Sequence, residues 1–291
     1  MKSGYVAMLG RPNVGKSTLF NALLGTYLSI VTPKPQTTRG RVLGILSDET
    51  SQIVFLDTPG LLTPKHRLHE AMRGQIDRSL READVVLALT DVSDLAGTFD
   101  EEVRRTLNAA RIPVLLAANK MDRISEAAVE KAMENIQDGV NEGVVVAISA
   151  LYGDNVSLLK SMLEERLPSG PALYPPDILS EQPERFFVSE LIREEMFNQL
   201  EQELPYATAV KVETFEERNK TYIQAVVFVE RASQKGIVIG SGGRMLKRIG
   251  SAARAKIEEF LHRPIYLDLW VKVRPNWRKR DFDLREFGYL L

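Results

Sequence analysis

Several short stretches of this 291-residue chain carry residue types whose spacing does chemistry. Gly10-Arg11-Pro12-Asn13-Val14-Gly15-Lys16-Ser17, followed by Thr18, matches G-x-x-x-x-G-K-[ST]. Its glycines let successive backbone N–H groups turn toward one point at a helix N-terminus, which makes an anion nest. Lys16 is placed to reach the β- and γ-phosphates of a nucleotide, and Ser17 offers a hydroxyl ligand for Mg²⁺. Asn119-Lys120-Met121-Asp122 selects the base. A carboxylate at Asp122 can accept hydrogen bonds from both the N1–H and the exocyclic amine of guanine, whereas adenine would leave it unpaired. Asn119 and Lys120 are expected to hold this loop against the phosphate loop.

Three more stretches fit the same site. Asp57-Thr58-Pro59-Gly60 brings a carboxylate near the metal, through water, and a Gly60 N–H toward the γ-phosphate. Gln36, Thr37, Thr38, Arg39 and Gly40 form a polar switch segment, in which one threonine hydroxyl, assigned to Thr38, completes the Mg²⁺ shell. Ser149-Ala150-Leu151 would give the base backbone contacts. Segments that meet only through the γ-phosphate and Mg²⁺ can order with GTP and relax after hydrolysis.

A different chemistry is expected near the C-terminus. Gly240-Ser241-Gly242-Gly243 is a G-x-x-G loop opening a basic helix that carries Arg244, Lys247, Arg248, Arg254 and Lys256. Small residues there let a backbone phosphate approach closely, and the loop resembles that of KH domains, which clamps about four nucleotides of single-stranded RNA. Between Ser233 and Arg280 the charge balance is +9, twelve basic residues against three acidic, while the whole chain sums to −1. The remainder is therefore at −10, and one basic segment on an acidic molecule points to a polyanion partner. Arg278, Lys279 and Arg280 are expected to meet phosphates independently of sequence. Trp277 either stacks on a base or packs at the domain edge, and Trp270, alternating with apolar neighbours, is expected in the core. Ile237 and Ile239 are expected in the core or on the groove floor.

The elements that must position these residues follow from periodicity. Continuous apolar runs at 5–9, 53–57, 84–90, 112–119 and 143–149 suit strands buried on both faces of a parallel sheet. Helical patterns at 16–24, 68–82, 99–110, 125–137 and 156–167 alternate with them, which predicts a doubly wound α/β domain. Residues 168–184 hold five of the fourteen prolines and read as a semi-extended linker. Beyond it the order is helix (186–200), strand (207–215), turn (216–220), strand (221–230), glycine loop with helix (240–261) and strand (265–273), a small α+β domain. The chain has no cysteine, so disulfides and cysteine-bound zinc are excluded. No apolar run approaches the ~18 residues of a membrane span, and the N-terminus has no leader pattern. His66, His69 and His262 form no metal pattern.

GRPNVGKS, QTTRG, DTPG, NKMD and SAL stand at the spacing of the five nucleotide-site motifs of translation-factor-related GTPases. With the C-terminal part included, the chain resembles the Era family of bacterial GTPases over nearly its whole length. The resemblance implies a Ras-like P-loop domain (1–168), the proline-rich linker (169–184) and a type II KH domain with a basic tail (185–291). It also implies Mg²⁺-dependent GTP hydrolysis. Slow unaided turnover and a monomer that binds GTP and GDP are expected, and the lack of cysteine suits the cytoplasm. The implied RNA is the 3′ region of 16S rRNA and the implied role is assembly of the 30S subunit, with no DNA partner.

One position departs from the Ras pattern. Leu61 stands where a glutamine would orient the attacking water. The resemblance implies instead that Asn13 helps bind K⁺, which with Lys16 and Thr38 completes the catalytic set; the other reading of Asn13 is a turn-stabilising amide. Two competing functions belong to other classes. A membrane-surface or signalling GTPase would lay its basic domain on anionic lipid or a protein partner at the inner face of the cell membrane. An RNA-binding module with a vestigial nucleotide fold is countered by the intact Lys16, Ser17, Asp57 and Asp122.

Overall fold

A computed structural model describes residues 1–141, 143–217 and 219–290. Arg218, in the turn expected over Glu216–Lys220, lies outside the described residues. The chain divides into two compact units: Met1–Ser29 with Thr38–Thr63 and Met72–Glu181, and Ile30–Thr37 with Pro64–Ala71 and Gln182–Leu291.

The first unit is built on a six-stranded sheet in the order β2-β3-β1-β4-β5-β6. Its strands are β1 (Lys2–Leu9), β2 (Val42–Ser47), β3 (Ser51–Asp57), β4 (Val85–Asp91), β5 (Val114–Asn119) and β6 (Val144–Ala147). Its helices are α1 (Lys16–Leu24), α2 (Arg67–Glu82, whose first turn clusters with the other unit), α3 (Leu95–Thr98), α4 (Glu101–Asn108), α5 (Glu126–Asp138) and α6 (Val156–Arg166). All strand pairs are parallel except β2 with β3. Strands β3, β4 and β5 are buried along their whole length, as their unbroken apolar runs require. Strand β2 is an addition to the five expected. It hides at the sheet edge with a glycine at its centre: a Cβ at Gly44 would lie 2.4 Å from Leu24 Cδ1 and 2.6 Å from Phe20 Cζ, so only glycine lets α1 pack this closely.

The proline-rich segment is neither helix nor strand, and through Glu181 it clusters with the first unit. It runs along the sheet edge. Leu179 O accepts from Ile45 N at 2.8 Å, the Gln52 amide oxygen accepts from Leu173 N and Tyr174 N, and the Tyr5 and Tyr174 hydroxyls lie 3.0 Å apart.

The second unit contains α7 (Glu184–Gln199), β7 (Ala209–Glu216), β8 (Thr221–Val229), α8 (Ala232–Ile239), α9 (Arg244–Leu261), β9 (Ile265–Val273) and α10 (Asp281–Glu286). Its sheet runs β7-β8-β9, antiparallel then parallel. Ile192, Met196, Ile223, Val227, Ile257 and Ile265 lie in its core. The expected order lacked α8. Sequence reading overlooks it because Ala232–Ile239 includes Gly236 and two isoleucines, poor helix formers. The Gln234 side chain stabilises its start by accepting from Glu230 N and Arg231 N at 2.9 and 3.0 Å.

Candidate nucleotide and RNA sites

The phosphate loop leaves β1 and enters α1 through residues held in left-handed backbone geometry: Asn13 at φ 63°, and Gly15, the N-cap of α1, at φ 100°. A Cβ at Gly15 would meet Asn119 Nδ2 at 2.3 Å. Asn119 needs that closeness: its amide donates to Val14 O at 2.8 Å and accepts from Ala150 N at 2.9 Å. One buried side chain thus ties the phosphate loop to the Ser149–Leu151 loop. Lys120 Nζ ties the phosphate loop to the end of β4, donating to Asn13 O at 2.7 Å and to Asp91 at 2.6 Å. Met121 N donates to Ile148 O, and Ser149 Oγ donates to Asp122 at 2.6 Å, fixing the carboxylate that would read guanine. Gly15, Thr18, Asn119, Lys120, Asp122, Ala150 and Leu151 line a cavity of about 140 Å³.

On the phosphate side, Lys16 is buried and donates to the carbonyls of Gly10 and Arg11 at 3.1 and 3.0 Å. Burial lowers its pKa to about 8, partly opposed by the Asp57 charge. Asp57 is fully buried, which raises its carboxyl above the ordinary value. Its Oδ2 accepts from Ser17 Oγ and Ser29 Oγ, each at 2.7 Å, and Thr38 Oγ1 lies 3.1 Å from Ser17 Oγ. Asp57 Oδ1 is buried without a partner among the described residues. A buried carboxylate with an unpaired oxygen, beside two converging hydroxyls, fits a hard divalent cation such as Mg²⁺. Ser29 was missed in the sequence because nothing in its neighbourhood marks it, and so was Asp91.

Asp57-Thr58-Pro59-Gly60 lies directly against the phosphate loop. Thr58 Oγ1 donates to Met8 O at 2.6 Å, and a Cβ at Gly60 would meet Pro12 N at 2.7 Å. Leu61 N donates to Gly10 O, and Leu61 O accepts from the Arg11 guanidinium, both at 3.0 Å. Arg11 also pairs with Asp100 and Glu102, so its charge is spent within the protein. The Leu61 side chain is buried among Leu9, Ile76, Val86 and Phe99.

The expected switch residues fall on both sides of the division between units: Gln36 and Thr37 cluster with the second unit, Thr38, Arg39 and Gly40 with the first. Thr37 Oγ1 donates to Lys34 O, and Arg39 is buried. His66 and His69 pack against each other with their rings tilted by 35°, and no cluster of three histidine or acidic side chains suited to a metal occurs among the described residues.

In the second unit Gly240, Gly242 and Gly243 all have positive φ, 73°, 59° and 78°, and Gly243 N-caps α9. A Cβ at Gly240 would meet Met245 Cβ at 2.7 Å, whereas one at Gly242 would meet nothing within 4 Å. The loop is thus folded by Gly240 and left open to a ligand at Gly242. Beside it Leu246, Lys247, Gly250, Ser251, Arg254, Leu267 and Leu269 line a groove of about 360 Å³. Ser241, Arg244 and Lys247 are exposed, and Arg248 is exposed with its Nε on the Gln199 amide oxygen at 2.9 Å. Lys256, by contrast, faces α7, paired with Glu194 and Glu195.

Several expectations are corrected here. Trp270 is not in the core: it is 53% exposed, because the alternation of β9 puts it on the face away from the helices. Trp277 is buried, donates to Ala207 O at 2.9 Å and packs on Phe287, which settles its two readings in favour of packing. Ile237 is 57% exposed on α8, while Ile239 packs against the core. Arg278 is paired with Glu230 at 2.5 Å, and Lys279 and Arg280 are exposed.

The comparisons with known proteins agree with this division of labour. Residues 5–120 match the family described as 50S ribosome-binding GTPase, and residues 203–278 match the KH domain. A solved structure of an Aquifex aeolicus Era variant bound to GDP and AlF4⁻ is 40% identical, with TM-score 0.95 over the whole of both chains. Another, of Era with MgGDPNP and nucleotides 1506–1542 of 16S ribosomal RNA, is 39% identical with TM-score 0.94, again over the whole of both chains. With full-length similarity at that identity, a P-loop GTPase fold and a KH domain in one chain, this protein belongs to the Era family of GTPases.

Proposed function

We propose that this GTPase is a nucleotide-switched RNA clamp that acts on the 3′ region of 16S rRNA during assembly of the small ribosomal subunit. The observation that carries the reading is the pairing, in one chain, of a guanine-type nucleotide site at Asp122 with an open glycine loop at Gly242 beside a basic groove. The RNA is suggested by the family member bound to nucleotides 1506–1542 of that RNA. The working domains are 1–168 for the nucleotide, 169–184 as connector and 185–291 for RNA. No helix among the described residues is long and apolar enough to cross a membrane, and the proposed place of action is the cytoplasm.

The proposed contacts follow the geometry. The backbone N–H groups between Gly10 and Thr18, Pro12 excepted, and the Lys16 ammonium hold the phosphates, Asp122 reads guanine, and Ser149 to Leu151 flank the base. Ser17 and Thr38 would hold Mg²⁺, with Asp57 reaching it through water while orienting the Ser17 hydroxyl. When bound, the ion would offset the negative charge of the phosphates. Asn13, exposed in the phosphate loop, would contribute to a K⁺ site that offsets charge developing in the transition state. Gly240 to Gly243, Arg244, Lys247 and Arg248 would clamp the RNA backbone, and Lys279 and Arg280, with Arg278 once released from Glu230, would add phosphate contacts.

The test is binding of a labelled single-stranded RNA carrying the 3′ sequence of small-subunit rRNA to wild type and Gly242→Asp. The position is open, so the carboxylate meets phosphate rather than protein. The expected result is at least about tenfold weaker binding with an unchanged circular dichroism spectrum. Equal affinities would overturn the RNA reading, and retained binding to anionic vesicles by both proteins would favour the membrane-surface alternative.

A further inference from the structure

The sheet of the second unit has two faces of different chemistry. Ile265, Leu267, Leu269 and Val271 of β9 pack toward the helices, so Tyr266, Asp268, Trp270 and Lys272 occupy the opposite face. Register places Tyr266 beside Tyr222, Asp268 beside Gln224 and Trp270 beside Val226. One end of this outer face is covered by the C-terminal segment, where Phe287 packs on Phe228 and Trp277 at 4.9 and 5.4 Å. The other end is open. Tyr266 is 56% exposed and stacks on Tyr222 with centroids 5.9 Å apart. Trp270, also exposed, donates its indole N–H to Asp268 Oδ2 at 2.9 Å, and the Tyr222 hydroxyl donates to the same oxygen at 3.3 Å. An indole face and a carboxylate are therefore fixed edge to edge at the surface.

The charge around this pair is one-sided. The two lysines of the outer face are already engaged, Lys211 with Glu286 at 2.9 Å and Lys272 with Glu213 at 3.3 Å. Glu216, beside Tyr222 in the register, adds a second carboxylate to the open half. A phosphate backbone would meet net negative charge here, unlike in the groove on the other face. An aromatic surface with an adjacent carboxylate attracts a cation, and a planar guanidinium can stack on the ring and hydrogen-bond the acid together.

We infer that this face docks an arginine side chain of a basic polypeptide segment, with the guanidinium on the Trp270 indole and its N–H groups on Asp268. The fold then presents two partner surfaces on opposite faces of one domain, an RNA groove and a site for a basic protein.

The chain contains two tryptophans and Trp277 is buried, so surface-sensitive fluorescence reports Trp270. The full chain is titrated with a capped hexa-arginine peptide, with hexa-lysine and with a single-stranded RNA 12-mer. A saturable fluorescence change with hexa-arginine is expected, about five-fold weaker with hexa-lysine and in Asp268→Asn. Trp270→Phe should silence the signal, and Asp268→Asn should bind RNA as wild type does. Peptide bound elsewhere on the acidic surface leaves Trp270 silent. No fluorescence change with hexa-arginine, equal affinity for both peptides and for Asp268→Asn, or a response to RNA in place of peptide would each overturn the proposal.

Discussion

Leu61 follows Asp57-Thr58-Pro59-Gly60, where a water-orienting side chain stands in Ras-like enzymes, and the fold shows why it does not do that work. Its backbone is clamped between Gly10 O and the Arg11 guanidinium, and its side chain points into the core. Restoring an amide by Leu61→Gln should therefore not restore catalysis. The variant buries an unpaired amide in place of a leucine and should lose about 2–4 kcal/mol of stability in urea denaturation. Its turnover should not exceed that of wild type, whereas wild type should hydrolyse GTP faster in KCl than in NaCl at equal ionic strength. A faster Leu61→Gln enzyme, or equal rates in the two salts, would contradict this assignment of the catalytic groups. At this scale the sequence was a good guide wherever a motif dictates local backbone. Asn119 and Lys120 hold the phosphate loop as their motif implies, whereas Gly240, expected to admit a phosphate, packs against Met245 and leaves the open position to Gly242. The sequence was a poor guide to partners brought in from elsewhere: Ser29 reaches Asp57, and Asp91 reaches Lys120, only after the sheet has formed.

Elements were legible in proportion to how far burial alone sets their pattern. The parallel strands β3, β4 and β5 announce themselves because both faces are covered. Strand β2 was hidden by its edge position and central glycine, and α8 by a composition that favours other states. Trp270 shows a further limit: alternation along β9 reveals two faces but not which one the helices cover. The turn joining β2 to β3 is a place where one side chain sets an element boundary. Asp48 Oδ1 accepts from Thr50 N and Ser51 N at 2.9 and 2.7 Å, and its Oδ2 accepts from Lys160 at 2.9 Å. The Lys160 hydrogen bond, with these N–H groups, holds the carboxyl well below the usual carboxylate range. A depressed carboxyl pKa contributes stability above the unfolded-state pKa, and that contribution is lost as pH falls through the folded one. Asp48→Asn keeps an acceptor for the turn but loses the partly exposed ion pair, so it should cost about 0.5–1 kcal/mol at pH 7. In urea melts the gap should shrink below about pH 4, near the unfolded-state value. An equal gap at pH 3 and pH 7 would show that the charge is irrelevant.

At the scale of the molecule, the division into units does not follow the chain. Residues 30–37 and 64–71, on the two switch stretches of the nucleotide site, cluster with the RNA-binding part, while Thr38 and Asp57 stay with the nucleotide. A segment that belongs to one unit but begins and ends in the other is suited to carry a nucleotide signal, provided the ligand changes its order. RNA affinity should then depend on the nucleotide, and by linkage RNA should shift nucleotide affinity by the same factor. The most direct measurement is the affinity of the full chain for the labelled 3′ rRNA strand in a non-hydrolysable GTP analogue, in GDP and without nucleotide, at fixed salt. The account predicts binding at least about five-fold tighter with the analogue than with GDP. The same affinity in all three states would contradict the switch and leave a GTPase and an RNA-binding domain that merely share a chain.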